Sequence, residues 1–159
     1  VRLAVALVQG IALALDKPVL PISTLAALAM QGADLETDRI LAAIDARMGE
    51  IYCAEFRLHQ DGLVEAISDE VVIAPETYLA KKDDRFVGVG TGFAANNNAL
   101  QTNLTSQLIV CRADALPHAA DIAKLAVRDY RLGKMIAADI LEPAYLRNKV
   151  ALTLKEQGK

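Results

Sequence analysis

The chain has 159 residues, a net charge of −3 and 53% hydrophobic residues, with a mean hydropathy of +0.27. This length and apolar content suffice for the core of a globular domain and exclude a disordered chain. Aromatic residues make up only 4%, so small aliphatic side chains have to fill the core, as they do in α/β proteins with buried strands. The acidic balance argues against a protein that holds RNA by itself.

The first 36 residues have the pattern of helices. Residues 1–15 are apolar over most of the helical circumference, and the stretch between Pro18 and Pro21 is extended. Ser23 or Thr24 is a suitable N-cap for a second helix that ends near Gly32. The polar stretch that follows is interpreted as a linker. We therefore divide the chain into the remnant of a first lobe, residues 1–36, and a second lobe, residues 37–159.

From residue 39 the pattern becomes that of strands. Residues 39–46 predict a buried strand, and after a tight turn residues 49–58 alternate as a half-buried strand. A turn at residues 60–62 precedes a third predicted strand over residues 63–74.

The second half of the chain alternates between helix and strand. Pro75 opens a predicted short helix, followed by a strand over 85–90, a helix over 92–101 and a strand over 106–111. A long amphipathic helix is predicted over residues 117–133, with an apolar face formed by Ala119, Ile122, Leu125 and Ala126. Pro143 then breaks the chain, and residues 151–159 predict a polar end. The order βββαβαβα is typical of one lobe of the actin-like ATPase fold, also described as ribonuclease H-like, and it predicts this α/β fold.

Four stretches resemble one bacterial family, the TsaB (YeaZ) proteins. The most specific are ILAAIDARMGEIYCAEF at residues 40–56 and EPAYLRN at residues 142–148, while residues 1–29 and VGVGTGF at residues 87–93 add further landmarks in the right order. Family members begin with strands and a Gly-rich loop ahead of the helix that starts here at Val1. The resemblance therefore implies an N-terminally truncated member whose first lobe is represented only by residues 1–36.

The resemblance also implies a function. TsaB acts beside TsaD, the actin-like subunit that transfers threonylcarbamoyl to adenosine 37 of tRNA, and beside the small ATPase TsaE. Because TsaB is similar in fold to TsaD but lacks its catalytic centre, we expect a non-catalytic scaffold that meets tRNA only through the complex. Alone, such a protein is expected to form a homodimer. No signal peptide or membrane span is evident in the sequence, so we expect a cytoplasmic protein with no membrane association.

Metal and nucleophile chemistry find little support in the sequence. His59 and His118 lie far apart, whereas metal-binding relatives use two histidines one helical turn apart. Cys53 and Cys111 lie in apolar, strand-like runs and are interpreted as buried, inert thiols. We therefore predict no catalytic residue, no metal site and no cofactor.

Nucleotide binding remains as the alternative, in an actin-like ATPase or kinase with a shortened first lobe. Asp45 ends the first strand, and Gly88, Gly90 and Gly92 alternate where the superfamily places its adenosine contacts. Equally, glycines at alternate positions permit close packing, and Asp45 can cap a turn with Arg47.

Association is the remaining function that residues 1–15 suggest. A stripe at helical spacing is the predicted partner surface, formed by Arg2, Val5, Ala6, Gln9, Ala12 and Leu13. Its small residues allow another helix to approach closely. The alternative is that the stripe packs inside its own lobe, and the resemblance favours the partner surface because first-lobe helices make the family's contacts.

Overall fold

A computed structural model describes residues 1–34 and 37–147. Leu35 and Glu36 of the predicted linker, Asn148 of the EPAYLRN stretch and the predicted polar end at residues 151–159 lie outside the described residues. Helix α1 spans Arg2–Ala14, and α2 spans Thr24–Ala29 before the 3₁₀ turn Met30–Gly32.

The predicted cap of the second helix is confirmed. The Ser23 hydroxyl oxygen accepts hydrogen bonds from the Leu25 and Ala26 backbone amides, at 3.1 Å and 3.2 Å. It thereby satisfies donors that the first turn of a helix leaves without partners.

The described strands form one mixed sheet. Its order is β3 (Val64–Ala66), β2 (Glu50–Leu58), β1 (Arg39–Arg47), β5 (Phe86–Val89) and β6 (Leu108–Arg112), and β4 (Val71–Ile73) also pairs with β2. Strands β1 (Arg39–Arg47) and β2 (Glu50–Leu58) form the predicted antiparallel hairpin. Strand β1 pairs in parallel with β5 (Phe86–Val89), which pairs in parallel with β6 (Leu108–Arg112). Because β1, β5 and β6 are parallel neighbours, their carboxyl ends lie side by side at one edge of the sheet.

The single third strand predicted over residues 63–74 is wrong in detail, because the structure has two short strands there. Strands β3 (Val64–Ala66) and β4 (Val71–Ile73) pair with opposite ends of β2. Between them the Ser68 hydroxyl accepts from the Glu55 amide at 2.9 Å and takes the place of a backbone carbonyl. This side-chain bond lets the polar residues loop out of the ladder.

The helix predicted after Pro75 is also wrong, since only the 3₁₀ turn Pro75–Thr77 forms. Tyr78 has an extended backbone, with φ −65° and ψ 126°, and its ring is buried. The Tyr78 hydroxyl donates to a Glu55 carboxylate oxygen at 2.8 Å. Anchoring this ring in the core pulls the chain out of the helical path.

The last two helices differ from the prediction in their faces and starts. Helix α3 (Ala95–Asn103) follows the 3₁₀ turn Thr91–Phe93 and is not regular near its start, because Asn96, Asn97 and Asn98 have non-helical φ and ψ. Helix α4 (Ala119–Arg131) buries Leu125 as predicted, but Ala119 is exposed, Ala126 is half-buried and Ile122 is 40% exposed. The predicted apolar face is therefore wrong in part. Asp121 takes the buried position, because it accepts from Gln31 Nε2 at 2.5 Å and Lys124 Nζ at 2.8 Å.

The core lies on both faces of the sheet. Helix α2 and Leu125 of α4 cover one face, over Ile40 and Phe56, while Phe93 and α3 cover the other. Helix α2 belongs to the first lobe under the predicted boundary, yet it packs in the same cluster as β1 and β2. The boundary between residues 36 and 37 stays a prediction.

Candidate functional site

The turn between β1 and β2, residues 47–49, is held by Asp45. Arg47, Met48 and Gly49 all adopt the left-handed region, with φ of 63°, 57° and 80°. The Asp45 carboxylate accepts from the Arg47 amide at 2.7 Å and from the Arg47 guanidinium at 3.0 Å. We call residues 47–49 the hairpin turn. Asp45 thus caps this turn, which is the structural role that its sequence position also allowed.

Two of the three candidate glycines pack directly on β1. A Cβ added to Gly90 would lie 2.4 Å from the Ala43 carbonyl oxygen, and one added to Gly92 would lie 2.7 Å from the Ala43 Cβ. Between them, the Thr91 hydroxyl oxygen accepts from the Asp45 amide at 3.1 Å. The loop after β5 is therefore pressed against the end of β1, where it meets Asp45.

Gly88 lies deeper in the sheet, apart from that loop. A Cβ there would meet the Phe93 ring at 2.6 Å. The chain's own atoms thus occupy the space next to all three glycines, as close packing requires. Nucleotide binding by Asp45, Gly88, Gly90 and Gly92 stays a prediction.

Three consecutive asparagines form a left-handed stretch beside the hairpin turn. Asn96, Asn97 and Asn98 have φ of 47°, 55° and 62°, and the Asn96 side-chain amide donates to the Gly49 carbonyl at 2.8 Å. Sequence reasoning treated these residues as ordinary helix. The run of asparagines was the available signal, because asparagine tolerates the left-handed region better than other residues with a side chain.

Arg147 reaches the hairpin turn from the far end of the described chain. Its Nη2 donates to the carbonyls of Ala46 at 3.1 Å and Arg47 at 3.4 Å, and to a Glu50 carboxylate oxygen at 2.6 Å. The Arg147 side chain is 18% exposed. Sequence reasoning noticed the EPAYLRN stretch but assigned Arg147 no role, since its partners lie about a hundred residues earlier.

The predicted partner stripe on α1 divides into two groups. Three of its residues, Arg2, Gln9 and Ala12, contact residues 136–147 of the same chain, and Val5 is half-buried. Ala12 is buried beside Ala138, Gln9 Nε2 donates to the Asp139 carbonyl at 3.3 Å, and the Arg2 guanidinium lies 5.3 Å from the Tyr145 ring centre. The other two, Ala6 and Leu13, are exposed. The partner role of the six residues stays a prediction.

The opposite side of α1 is apolar and open to solvent in the described structure. Leu3, Leu7 and Ile11 are 85%, 63% and 53% exposed and recur every four residues, so they lie one above another. Gly10 and Ala14 complete this side, and both are exposed. We call these five residues the outward face of α1. Leu13 and Ala6 lie along one flank of it.

The thiols of Cys53 and Cys111 are unreactive at neutral pH. Burial raises the pKa of Cys53 to about 12, with a smaller contribution from the Glu55 charge, and burial raises that of Cys111 to about 11. Both thiols are therefore protonated at neutral pH and are poor nucleophiles. Over residues 1–34 and 37–147, no group of three or more His, Cys, Asp or Glu side chains is arranged to hold a metal ion.

An open groove of about 580 Å³ lies between α2 and α4, away from the hairpin turn. Phe56, Val64 and Leu125 form its apolar floor. Charged groups at its rim already pair within the chain, as Arg128 donates to the Val64 carbonyl at 2.6 Å and to Asp129 at 2.9 Å.

No helix in the described part of the chain is long and apolar enough to span a bilayer.

Comparison with known proteins gives the family. Residues 1–155 match the family model described as TsaD: tRNA N6-adenosine threonylcarbamoyltransferase. The chain is 36% identical over 157 residues to the tRNA threonylcarbamoyladenosine biosynthesis protein TsaB of Escherichia coli, covering 95% of this chain and 66% of the relative. Against the protein of the same name from Haemophilus influenzae it is 35% identical, covering 94% of this chain and 65% of the relative. The chain belongs to the TsaB (YeaZ) family.

The fold agrees with that assignment. The solved structure of YeaZ from Pseudomonas aeruginosa superposes with a TM-score of 0.77 at 34% identity, covering 91% of this chain and 66% of that one. The predicted actin-like, ribonuclease H-like α/β fold is confirmed by this similarity and by the mixed sheet. The chain spans about two thirds of the length of the TsaB relatives it matches.

Proposed function

We propose that this TsaB-family chain takes part in making threonylcarbamoyladenosine in tRNA, as a non-catalytic scaffold that pairs with TsaD and, through that pair, with TsaE. The family assignment supports the pathway, since its relatives are named for this biosynthesis. The chain carries a net charge of −3, which fits a subunit that meets tRNA only through its partners.

The outward face of α1 is the observation that carries the scaffold role. Leu3, Leu7 and Ile11 form a row of large aliphatic side chains that is exposed among the described residues and fits a face covered by another surface, which we assign to the partner. An apolar helix face of this spacing fits a partner helix. In this proposal Ala6 and Leu13 of the predicted stripe extend the contact along its flank, and a second copy of the chain occupies the same face when TsaD is absent.

The contacts of the candidate nucleotide residues also favour the scaffold over an ATPase. The Asp45 carboxylate caps the hairpin turn. Atoms of β1 occupy the space beside the Cα atoms of Gly90 and Gly92. A phosphate-binding loop instead presents open backbone amides to its ligand.

A binding experiment tests the proposal. The chain is titrated with purified TsaD by calorimetry, beside the variants Leu7→Glu and Ile11→Glu. We expect each variant to raise the dissociation constant by more than about tenfold, because a charge would be buried in an apolar contact. Gln101→Glu, which adds the same charge to the exposed side of α3, is the matched control and should bind as the unsubstituted chain does.

Two further readouts separate the functions. A tRNA threonylcarbamoylation assay with TsaD and TsaE should depend on the same α1 residues, and the chain alone should not hydrolyse ATP. Failure to bind TsaD, together with ATP turnover that Asp45→Asn abolishes, would replace the scaffold proposal with the actin-like ATPase or kinase.

A further inference from the structure

Helix α1 rests on one segment of the same chain, residues 136–147, which we call the strap. Val19, just after α1, and Ile136 exchange two backbone hydrogen bonds, each of 2.9 Å. Further along the strap, Ala138 is buried against Ala12, and the Asp139 carbonyl accepts from Gln9. Arg2, Gln9 and Ala12 of α1 therefore contact the strap when the Arg2–Tyr145 contact is included.

Within the described chain, α1 has little else to hold it. Ala12 is its one buried residue, and the helix makes its main tertiary contacts with the 3₁₀ turn Ala138–Ile140 of the strap. An isolated helix of this length is marginal in water, so most of its order has to come from packing. Among the described residues, the strap is therefore the main support of α1.

The far end of the strap is fixed by Arg147. Its guanidinium binds the Ala46 and Arg47 carbonyls and the Glu50 carboxylate on the hairpin turn and its flanks. Hydrogen bonds between ionised groups are about twice as strong as neutral ones, and the Arg147 side chain is only 18% exposed, while that of Glu50 is 38% exposed. The hairpin turn in turn is stiffened by Asp45 and by Asn96.

We propose that Arg147 is a positioning residue for the outward face of α1. By tying the end of the strap to the hairpin turn, it holds the platform on which α1 lies and so sets how Leu3, Leu7 and Ile11 are presented. The binding role of that face rests on the proposed function. The mechanical link from Arg147 to α1 is independent of it and is measured on the chain alone.

The test is hydrogen exchange by NMR on the whole chain, comparing Arg147→Gln with the unsubstituted protein. The reporters are the Val19 and Ile136 amides, each of which donates to the other residue's carbonyl, and the Gln9 side-chain amide. We expect the two backbone amides to exchange about tenfold faster and the Gln9 signal to move toward that of a solvated amide, because local opening becomes easier. Amides of the central strand β1, such as that of Ala42, should keep their protection.

Two variants guard the interpretation. Arg131→Gln removes the same charge from the exposed end of α4 and should leave all three reporters unchanged. Glu50→Gln keeps the Arg147 carbonyl contacts while weakening the ionic one, so it should shift the reporters in the same direction by about two- to threefold. If the reporters are unchanged in both Arg147→Gln and Glu50→Gln, the proposal is overturned. Equal loss of protection at Ala42 would also overturn it, since Arg147 would then stabilise the whole fold.

A second arm links the device to binding. Titration of TsaD with Arg147→Gln should give a dissociation constant raised about three- to tenfold, because part of the population no longer presents the face. If the unsubstituted chain fails to bind TsaD, the proposed function fails while the exchange data still decide the positioning role. If binding occurs and Arg147→Gln moves the reporters but not the affinity, Arg147 fixes the strap without positioning the interface, and the proposal is overturned.

Discussion

The Asn96 side-chain amide donates to the Gly49 carbonyl across 2.8 Å and joins two left-handed segments that are 47 residues apart in the sequence. Residues with a side chain avoid the left-handed region unless the surroundings compensate for it. Here the hydrogen bond between Asn96 and Gly49 helps to offset the backbone cost in both segments, because it fixes the hairpin turn and the asparagine stretch against each other.

Replacing Asn96 should separate the two contributions of that residue. Asn96→Ala loses the hydrogen bond and the tolerance for φ of 47°, and we expect it to lower the free energy of unfolding by about 2 kcal/mol. Asn96→Gly loses the bond but relieves the backbone, so its cost should be about 1 kcal/mol. Urea denaturation measures both, and equal costs would mean that the backbone conformation carries no strain.

Gly90 should tolerate no side chain. Gly90→Ala places a Cβ 2.4 Å from both the Ala43 carbonyl oxygen and Leu28 at a φ of 105°, so we expect a loss of more than about 2 kcal/mol in unfolding free energy. The matched control is Gly62→Ala, which also has positive φ but open space around it, with an expected loss of about 1 kcal/mol. Thermal unfolding of both variants decides the matter, and similar midpoints would contradict the tight packing on β1.

The two thiols should be slow to alkylate in the folded protein. Burial holds the pKa of Cys53 at about 12 and that of Cys111 at about 11, so the reactive thiolate is scarce near neutral pH. Iodoacetamide labelling followed by mass spectrometry should therefore run more than about tenfold slower in the native state than in urea, with Cys53 the slower site. Fast native labelling of Cys53 would show that β2 opens readily.

Asp129 should make the stability depend on acid pH. Burial alone would raise the pKa of its carboxyl, but hydrogen bonds and charges from Arg128 and Lys134 bring the folded pKa below the ordinary value of 3.8. The stabilisation is therefore present above that ordinary value and is lost as pH falls through the lower folded pKa. Asp129→Asn should be less stable than the unsubstituted chain near neutral pH, and the difference should shrink under acid. A difference that stays constant from neutral to acid pH would contradict the ion pair.

Local patterns predicted the frame of this fold well. The β1–β2 hairpin, the Ser23 cap and helix α1 follow from alternation, capping residues and apolar runs, which act over a few neighbouring positions. Where the prediction failed, distant partners decided the conformation. Tyr78 leaves its expected helix because Glu55, on strand β2, accepts a hydrogen bond from the Tyr78 hydroxyl.

The candidate site was less accessible from sequence. Asp45 and the glycines were identified, but their spacing fitted a ligand and close packing equally, and only the approach of Ala43 shows what surrounds them. The six-residue stripe on α1 was identified without its orientation, because a helix that is apolar all round does not reveal which side meets its own chain. Arg147 had no local pattern at all, since its partners are the hairpin turn and the residues that flank it, Ala46 and Glu50.

The Val19–Ile136 pairing has a consequence for synthesis on the ribosome. Helix α1 emerges early, yet the segment on which it rests is translated only after all the strands of the described sheet. Until then the side of α1 that contacts the strap has no strap to cover it, a state that favours capture by chaperones or by another nascent chain. The order of residues along this polypeptide thus places α1 before the whole described sheet and its support after it.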